Sequence, residues 1–568
     1  MARNGKQNEH DEKMFGNKEN INILTALLAQ HGVSKAVVCP GSRNAPIVHN
    51  LNECESITCY PVTDERSAGF YALGMALADG SPVVVCVTSG TALLNLAPAV
   101  AEASYRHHGL IVVSADRPTA WIGQLDGQTL HQENAFGCFV SKCVNLTEPH
   151  DDTERWHCNR LVNEALLAVK SRGRKSVHIN VPISEPLFQF DVGRLPEERV
   201  IKSIRPMLDI HAFRTHVVKG LLAARKPMIV IGQISQPCVE KEMALDAISK
   251  RIAVLSEPLA VGRQCLADLA LATIGMDENY MPDFILYIGD TLVSKRLKAF
   301  LRKAGNAETW SVAEDGEVHD TFMHQAGVID GAPVDAIMEI ESAVSKKGED
   351  GNDGFAAQWL KLFDNVRERL SDHIPSYSQL AAVREFELSL ANVKHNRHVH
   401  YANSNAVRLA CIYASHYVWC NRGVNGIEGS LSTAAGFSLA VDGLVFCVIG
   451  DLSFFYDQNA LWNTCLRGNL RIMLLNNHCG GIFYSLRGLQ DSAAFDELVT
   501  AGHSAKAEGI CTQNGVNYRA VNSMEELHGG IAWLTETESD SPMLLEVFTN
   551  PVEDKNAIKE LMNKIKQP

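Results

Sequence analysis

The sequence predicts an α/β protein made of three doubly wound parallel-sheet units. Short apolar runs recur along the chain, each ending in a Gly-, Ser- or Pro-rich turn and followed by a helical stretch. That alternation builds a parallel sheet with helices on both faces. The length, 568 residues, corresponds to about three domains of ordinary size.

The first unit is expected over residues 21–195. In it, 36–39 leads into Pro40-Gly41-Ser42-Arg43, and 58–62 into Thr63-Asp64-Glu65. Residues 82–87 lead into Thr88-Ser89-Gly90-Thr91 and a helical stretch over 92–105. Residues 110–113 lead into the turn Ala115-Asp116-Arg117-Pro118, and 177–180 closes the unit. A central unit over 196–345 has strand-like runs at 228–231, 284–288 and 309–312. A linker is expected over 346–380, since 346–354 is charged and Gly-rich. The last unit, 381–568, has runs at 444–449, 472–476 and 543–547, in a layout like that of the first. Residues 1–20 are polar and read as a disordered lead-in without the apolar core of a signal peptide.

Composition narrows the function classes. Against 66 aspartates and glutamates stand 52 lysines and arginines, a net charge of −14 that disfavours nucleic acid as a partner. No uncharged apolar stretch reaches about eighteen residues, so no membrane span is expected. Fifteen cysteines lie scattered without a Cys-x-x-Cys pair, which suggests reduced thiols, a cytoplasmic location and no zinc site. No Gly-x-Gly-x-x-Gly follows a strand-like run, so a nicotinamide enzyme is a weak alternative.

The strongest local signal lies in the last unit. One apolar run ends in Gly450-Asp451, and the next ends in Asn476-Asn477, Asn477 lying 26 residues after Asp451. Ligands of parallel sheets bind beyond the carboxyl ends of the strands, where both pairs fall. Either pair alone is ordinary turn vocabulary. Together they offer a carboxylate and an amide oxygen, and a backbone carbonyl near Cys479 adds a third ligand of the kind magnesium takes beside phosphate oxygens. Gly480 and Gly481 leave room for close backbone approach.

This spacing resembles the diphosphate- and metal-binding motif of thiamine-diphosphate enzymes. The resemblance implies a pyrimidine-binding domain (21–195), a central domain and a diphosphate-binding domain (381–568), with thiamine diphosphate and Mg2+ (or Mn2+) as cofactors. It also implies that Glu65 hydrogen-bonds the aminopyrimidine ring, and that cofactor sites form between subunits of at least a homodimer, or a dimer of dimers. Residues 40–46 (PGSRNAP), Asp64-Glu65-Arg66, Thr88-Ser89-Gly90-Thr91-Ala92, Ala115-Asp116-Arg117-Pro118, Asn421-Arg422-Gly423 and Gly450-Asp451-Leu452-Ser453 resemble one branch, the 2-succinyl-5-enolpyruvyl-6-hydroxy-3-cyclohexene-1-carboxylate synthases of menaquinone biosynthesis.

That branch implies decarboxylation of 2-oxoglutarate and 1,4-addition of a succinyl carbanion equivalent to isochorismate. Both substrates are dianions, which calls for cations able to grip carboxylates. By motif match, Glu65, Arg43 and Arg422 are the catalytic candidates. Gly450, Asp451, Leu452, Ser453, Asn477, Cys479, Ile427, Ile482 and Phe483 would bind the cofactor, Asp451, Asn477 and Cys479 holding the metal. Ser42, Arg43, Arg117, Gln128, Lys295, Arg296, Ser404, Arg408, Arg422 and Leu486 would bind substrate. His478-Cys479 stands where the family usually has Asn and Gly, and Cys420 where serine is common. The nearest alternative is another thiamine-diphosphate decarboxylase or carboligase, such as one acting on pyruvate.

Overall fold

The computed structural model describes residues 14–203, 209–237, 239–261, 265–346, 353–486 and 488–566. The first sheet comprises β1 (Lys35–Val38), β2 (Thr58–Pro61), β3 (Val84–Val87), β4 (Ile111–Asp116), β5 (Val140–Asn145) and β6 (Ser176–Pro182), in the spatial order β2-β1-β3-β4-β6-β5. The central sheet comprises β7 (Pro227–Ile231), β8 (Ala253–Ser256), β9 (Phe284–Ile288), β10 (Glu308–Ala313) and β11 (Gln325–Asp330), ordered β8-β7-β9-β10-β11. The last comprises β12 (Arg397–Tyr401), β13 (Val418–Trp419), β14 (Leu444–Gly450), β15 (Leu470–Asn476), β16 (Asn517–Val521) and β17 (Met543–Phe548), ordered β13-β12-β14-β15-β17-β16. All pairings within these sheets are parallel. Strands such as β3 and β15 are buried along their whole length, which is why they read as unbroken apolar runs rather than alternating ones.

The first and last sheets share one strand order, so their layouts are alike in topology as well as in sequence. The helices that follow the second strand of each, Glu65–Asp79 and Ser430–Ala440, pack directly on one another. Glycines make that approach possible. A methyl group on Gly74 would lie 2.0 Å from the Thr433 carbonyl oxygen, and one on Gly436 would lie 2.2 Å from that of Tyr71.

Four expectations change. β4 runs on through Ala115 and Asp116, read above as a turn, because the Asp116 carboxylate accepts from Asn180 Nδ2 on neighbouring β6 at 2.9 Å. The stretch 92–105 is two helices, Thr91–Asn95 and Ala97–Tyr105, since Pro98 has no N–H to continue the first and suits the opening turn of the second. Within 1–20, residues 1–13 lie outside the described residues. Phe15–Gly16, however, pairs with Phe190–Val192, and a helix runs from Glu19 to Gln30, so 15–20 is ordered.

The linker expected over 346–380 is mostly helical. Its charged core, 347–352, lies outside the described residues, but Asp353–Ser371 is a helix that buries Phe355, Trp359, Leu362, Val366 and Leu370. Their three- and four-residue spacing is the mark of an amphipathic helix, which the charged segment before it obscured. Among the described residues no helix is long and apolar enough to cross a membrane.

Candidate active site

The carboxyl ends of β14 and β15 are tied together by one side chain. Asp451 is buried; its Oδ1 accepts from Leu452 N at 2.7 Å, and its Oδ2 accepts from Asn477 N and Cys479 N, both at 3.2 Å. His503 Nε2 stands 3.4 Å from the same Oδ2. Burial pushes the Asp451 pKa up to about 6, against the pull of these backbone N–H groups. Asn477, also buried, donates through Nδ2 to Asp554 Oδ2 at 3.0 Å, while among the described residues its Oδ1 meets only the Cys479 thiol, at 3.8 Å.

The backbone is shaped around these groups. A methyl on Gly481 would lie 2.5 Å from Asn477 Nδ2, and one on Gly480 would lie 2.7 Å from the Phe483 ring. Ser404 and His478 adopt left-handed φ of 71° and 64°, an unfavourable choice for non-glycine residues that clusters at functional loops. Ser404, Ile427, Gly450 through Ser453, Asn477, Cys479, Ile482 and Phe483 line one cavity of about 160 Å3. The cofactor candidates of the last unit are thus brought together.

An adjoining cavity of about 280 Å3 shares Gln379, Asn405 and Gly481 with the first and receives Arg296 and Arg408. The half-buried Arg408 side chain makes no hydrogen bond or ion pair with the described residues, so its guanidinium is open to a ligand. Arg296 is held by Asp268, donating to its carbonyl at 2.8 Å and to Oδ2 at 2.5 Å. Arg296 opens the helix Lys295–Lys303 together with Lys295 and Lys298, with no acidic residue in that turn. The Asp268 carboxylate and buried Glu257, which accepts from Val293 N at 2.6 Å and Ser294 N at 2.7 Å, offset these cations at the positive end of the helix. Exposed Lys295 and Leu486 line neither cavity, nor does Arg422, whose Nη1 donates to Asn403 Oδ1 at 3.2 Å.

The remaining candidates sit at the carboxyl edge of the first sheet. Arg43 is buried, donating to the Ile183 carbonyl at 3.1 Å and pairing with Glu185 at 3.0 Å. Arg117 donates to the Gly127 carbonyl at 3.3 Å and pairs with Asp126 at 3.4 Å. Ser42 and Gln128 are exposed, and the Gln128 backbone rests against Gly90. Glu65 begins its helix beside Asp64, which caps it by accepting from Ser67 N at 3.0 Å. Its Oε2 accepts from Asn95 Nδ2 at 3.4 Å. None of these five lines either cavity, so the candidate residues of one chain fall into two separate groups.

Four residues beside the candidates were not singled out in the sequence: Asn95, Gln132, Asp554 and Lys555. Gln132 is buried and shapes the Gly90 turn by accepting from Gly90 N at 2.7 Å. Lys555 lines the larger cavity. The turn before Thr91 was a signal for Asn95, but nothing in sequence joins Asp554 to Asn477, 77 residues away.

Residues 21–136, which span Arg43, Glu65, Arg117 and Gln128, match the thiamine pyrophosphate enzyme, N-terminal TPP binding domain family. Over 567 residues the chain is 41% identical to the 2-succinyl-5-enolpyruvyl-6-hydroxy-3-cyclohexene-1-carboxylate synthase of Bacteroides thetaiotaomicron, with 98% of this chain and 100% of that protein covered. The chain belongs to this synthase family. The synthase of Bacteroides fragilis is 42% identical over 97% of this chain and 100% of its own length. That of Porphyromonas gingivalis is 34% identical over 96% and 97%. In this synthase-family chain His478 is accommodated by stacking on Phe548, with ring centroids 5.5 Å apart. The main-chain carbonyl beside it is unchanged by the choice of side chain.

Proposed function

We propose that this protein is a carboligase that decarboxylates 2-oxoglutarate and adds the remaining succinyl unit in a 1,4 sense to isochorismate, releasing carbon dioxide, in menaquinone biosynthesis. The observation that carries this reading is the pair of joined cavities, one framed by Asp451 and Asn477 and the other by the unpartnered Arg408. When bound, thiamine diphosphate supplies the carbon that adds to a ketone and the electron sink that accepts the pair left by carbon dioxide.

The donor set fits a metal-bound diphosphate. Asp451 offers a carboxylate, Asn477 an amide oxygen nearly without partners, and Cys479 a main-chain carbonyl, all hard oxygen ligands suited to Mg2+ or Mn2+. Any side chain at Gly481 would fill the cradle beside Asn477. Ile427, Ile482 and Phe483 would exclude water next to the cofactor. Glu65 would hold a proton at the aminopyrimidine. Arg43, Arg117, Arg296, Arg408, Arg422 and Lys295 would receive substrate carboxylates, and Ser42, Gln128, Ser404 and Leu486 would complete the pocket.

Two half-sites in one chain are explained by a homodimer, alone or as a dimer of dimers, in which residues 21–195 of one copy face 381–568 of another. Leu94, Trp121 and Leu125, beside the first half-site, are large apolar side chains exposed in the single chain, which supports a covering partner. Small, soluble proposed substrates and scattered cysteines without a Cys-x-x-Cys pair support a cytoplasmic location.

The test is incubation with 2-oxoglutarate, isochorismate, thiamine diphosphate and Mg2+, with mass analysis of the product and measurement of carbon dioxide. A product containing the isochorismate ring plus the succinyl unit is expected. Faster consumption of pyruvate than of 2-oxoglutarate would overturn the donor assignment.

A further inference from the structure

We propose that Asp554 decides which end of the Asn477 side chain faces the metal, a positioning role that rests on the metal site proposed above. An asparagine amide binds a hard cation through oxygen; its nitrogen carries only donor hydrogens. The two ends have nearly the same shape, so a neighbour must choose between them. Asp554 is suited to choose, because an ionised carboxylate only accepts.

Among the described residues, every partner of the Asp554 carboxylate is a donor. Oδ2 accepts from Asn477 Nδ2 at 3.0 Å and from Thr549 Oγ1 at 2.9 Å, and Oδ1 accepts from Gln379 N at 2.8 Å. The residue is 6% exposed, so the group has little freedom to turn away. It lies in the first turn of the helix Pro551–Ile565, and its Oδ1 meets the first residue of the helix Gln379–Ser389. Two positive helix ends therefore hold it in place. With the amide nitrogen of Asn477 bound to Asp554, its oxygen, which among the described residues meets only the Cys479 thiol, is the end left for a metal in the cavity that Asn477 and Asp451 both line. Partners behind a metal ligand typically set affinity by roughly 10–100-fold.

Asp554→Asn tests this without changing size. Gln379 N requires an acceptor, so the single oxygen of the new amide turns to it and the NH2 faces Thr549 and Asn477. The Thr549 hydroxyl can rotate to accept; Asn477 can respond only by flipping its nitrogen toward the metal. The binding of Mn2+ in the presence of thiamine diphosphate is read from the electron paramagnetic resonance signal of free Mn2+. Affinity should fall roughly 10–100-fold in Asp554→Asn, and should hold in Thr549→Val, which keeps the Asp554–Asn477 bond. The exchange Asn477→Asp with Asp554→Asn should restore binding, since a carboxylate at 477 presents oxygen at either end and accepts from the amide at 554. Equal affinity in Asp554→Asn and the unaltered protein overturns the inference. So does an equal loss in Thr549→Val, which would mark a packing effect, or failure of the exchange to rescue. If the unaltered protein takes up no Mn2+ with thiamine diphosphate, the metal site itself is what fails.

Discussion

Replacing Asp457 by asparagine should stabilise the protein at neutral pH and leave it unchanged in acid. Asp457 is fully buried and caps the helix Ser430–Ala440 from outside, accepting from Ser432 N at 2.8 Å and from Ser432 Oγ at 2.7 Å. That helix has no side-chain cap of its own, because Gly429 precedes it. Burial pushes the Asp457 pKa up to about 6, opposed by the Ser432 hydrogen bonds and by Arg66 nearby. The unfolded chain releases this proton near pH 4. A raised folded pKa means stability that is complete below about pH 4 and lost as pH rises through about 6.

Two pH units amount to about 3 kcal/mol. Asparagine keeps the shape, accepts from Ser432 N and donates to the Ser432 hydroxyl, but never ionises. Urea midpoints of the cofactor-free proteins, followed by tryptophan fluorescence from pH 4 to 8, should coincide at pH 4 and separate in favour of Asp457→Asn by up to about 3 kcal/mol at pH 7. The raised pKa of Asp451 acts in the same window but is common to both proteins and cancels. A gap that stays constant from pH 4 to 7, or one that favours the wild type at pH 8, would refute the reasoning.

Three other outcomes are expected. Gly74→Ala and Gly436→Ala should each destabilise by about 1–3 kcal/mol or more, because the added methyl meets backbone rather than a yielding side chain; thermal melts check this. Glu65→Gln should lower turnover by about 100-fold or more while Mg2+-dependent binding of thiamine diphosphate persists, as read by product formation and by tryptophan quenching. Arg408→Ala should raise KM for 2-oxoglutarate roughly 10–100-fold, the worth of a charge-assisted hydrogen bond, and have much less effect with a monocarboxylate 2-oxo acid; initial rates with both donors decide it.

Most of the buried strands were legible in the sequence, and with them the position of two cofactor candidates. Buried parallel strands must be apolar on both faces, so β3, β4, β7, β9, β14 and β15 are visible as runs. Asp451 and Asn477 lie directly after two of them, where strand direction dictates that a ligand sits. Short or polar strands such as β13 and β16 carried no such mark, and the helix Asp353–Ser371 was masked by the charged residues before it. Tertiary structure alone decided which cations share a cavity. Arg296 and Arg408 come together from different units, whereas Arg43, Arg117 and Glu65 stand apart at another sheet edge. It alone placed Asp554 behind Asn477, since that contact joins a loop to a helix 77 residues on. Local periodicity records how a segment meets water, but which distant segments meet each other depends on how three sheets pack.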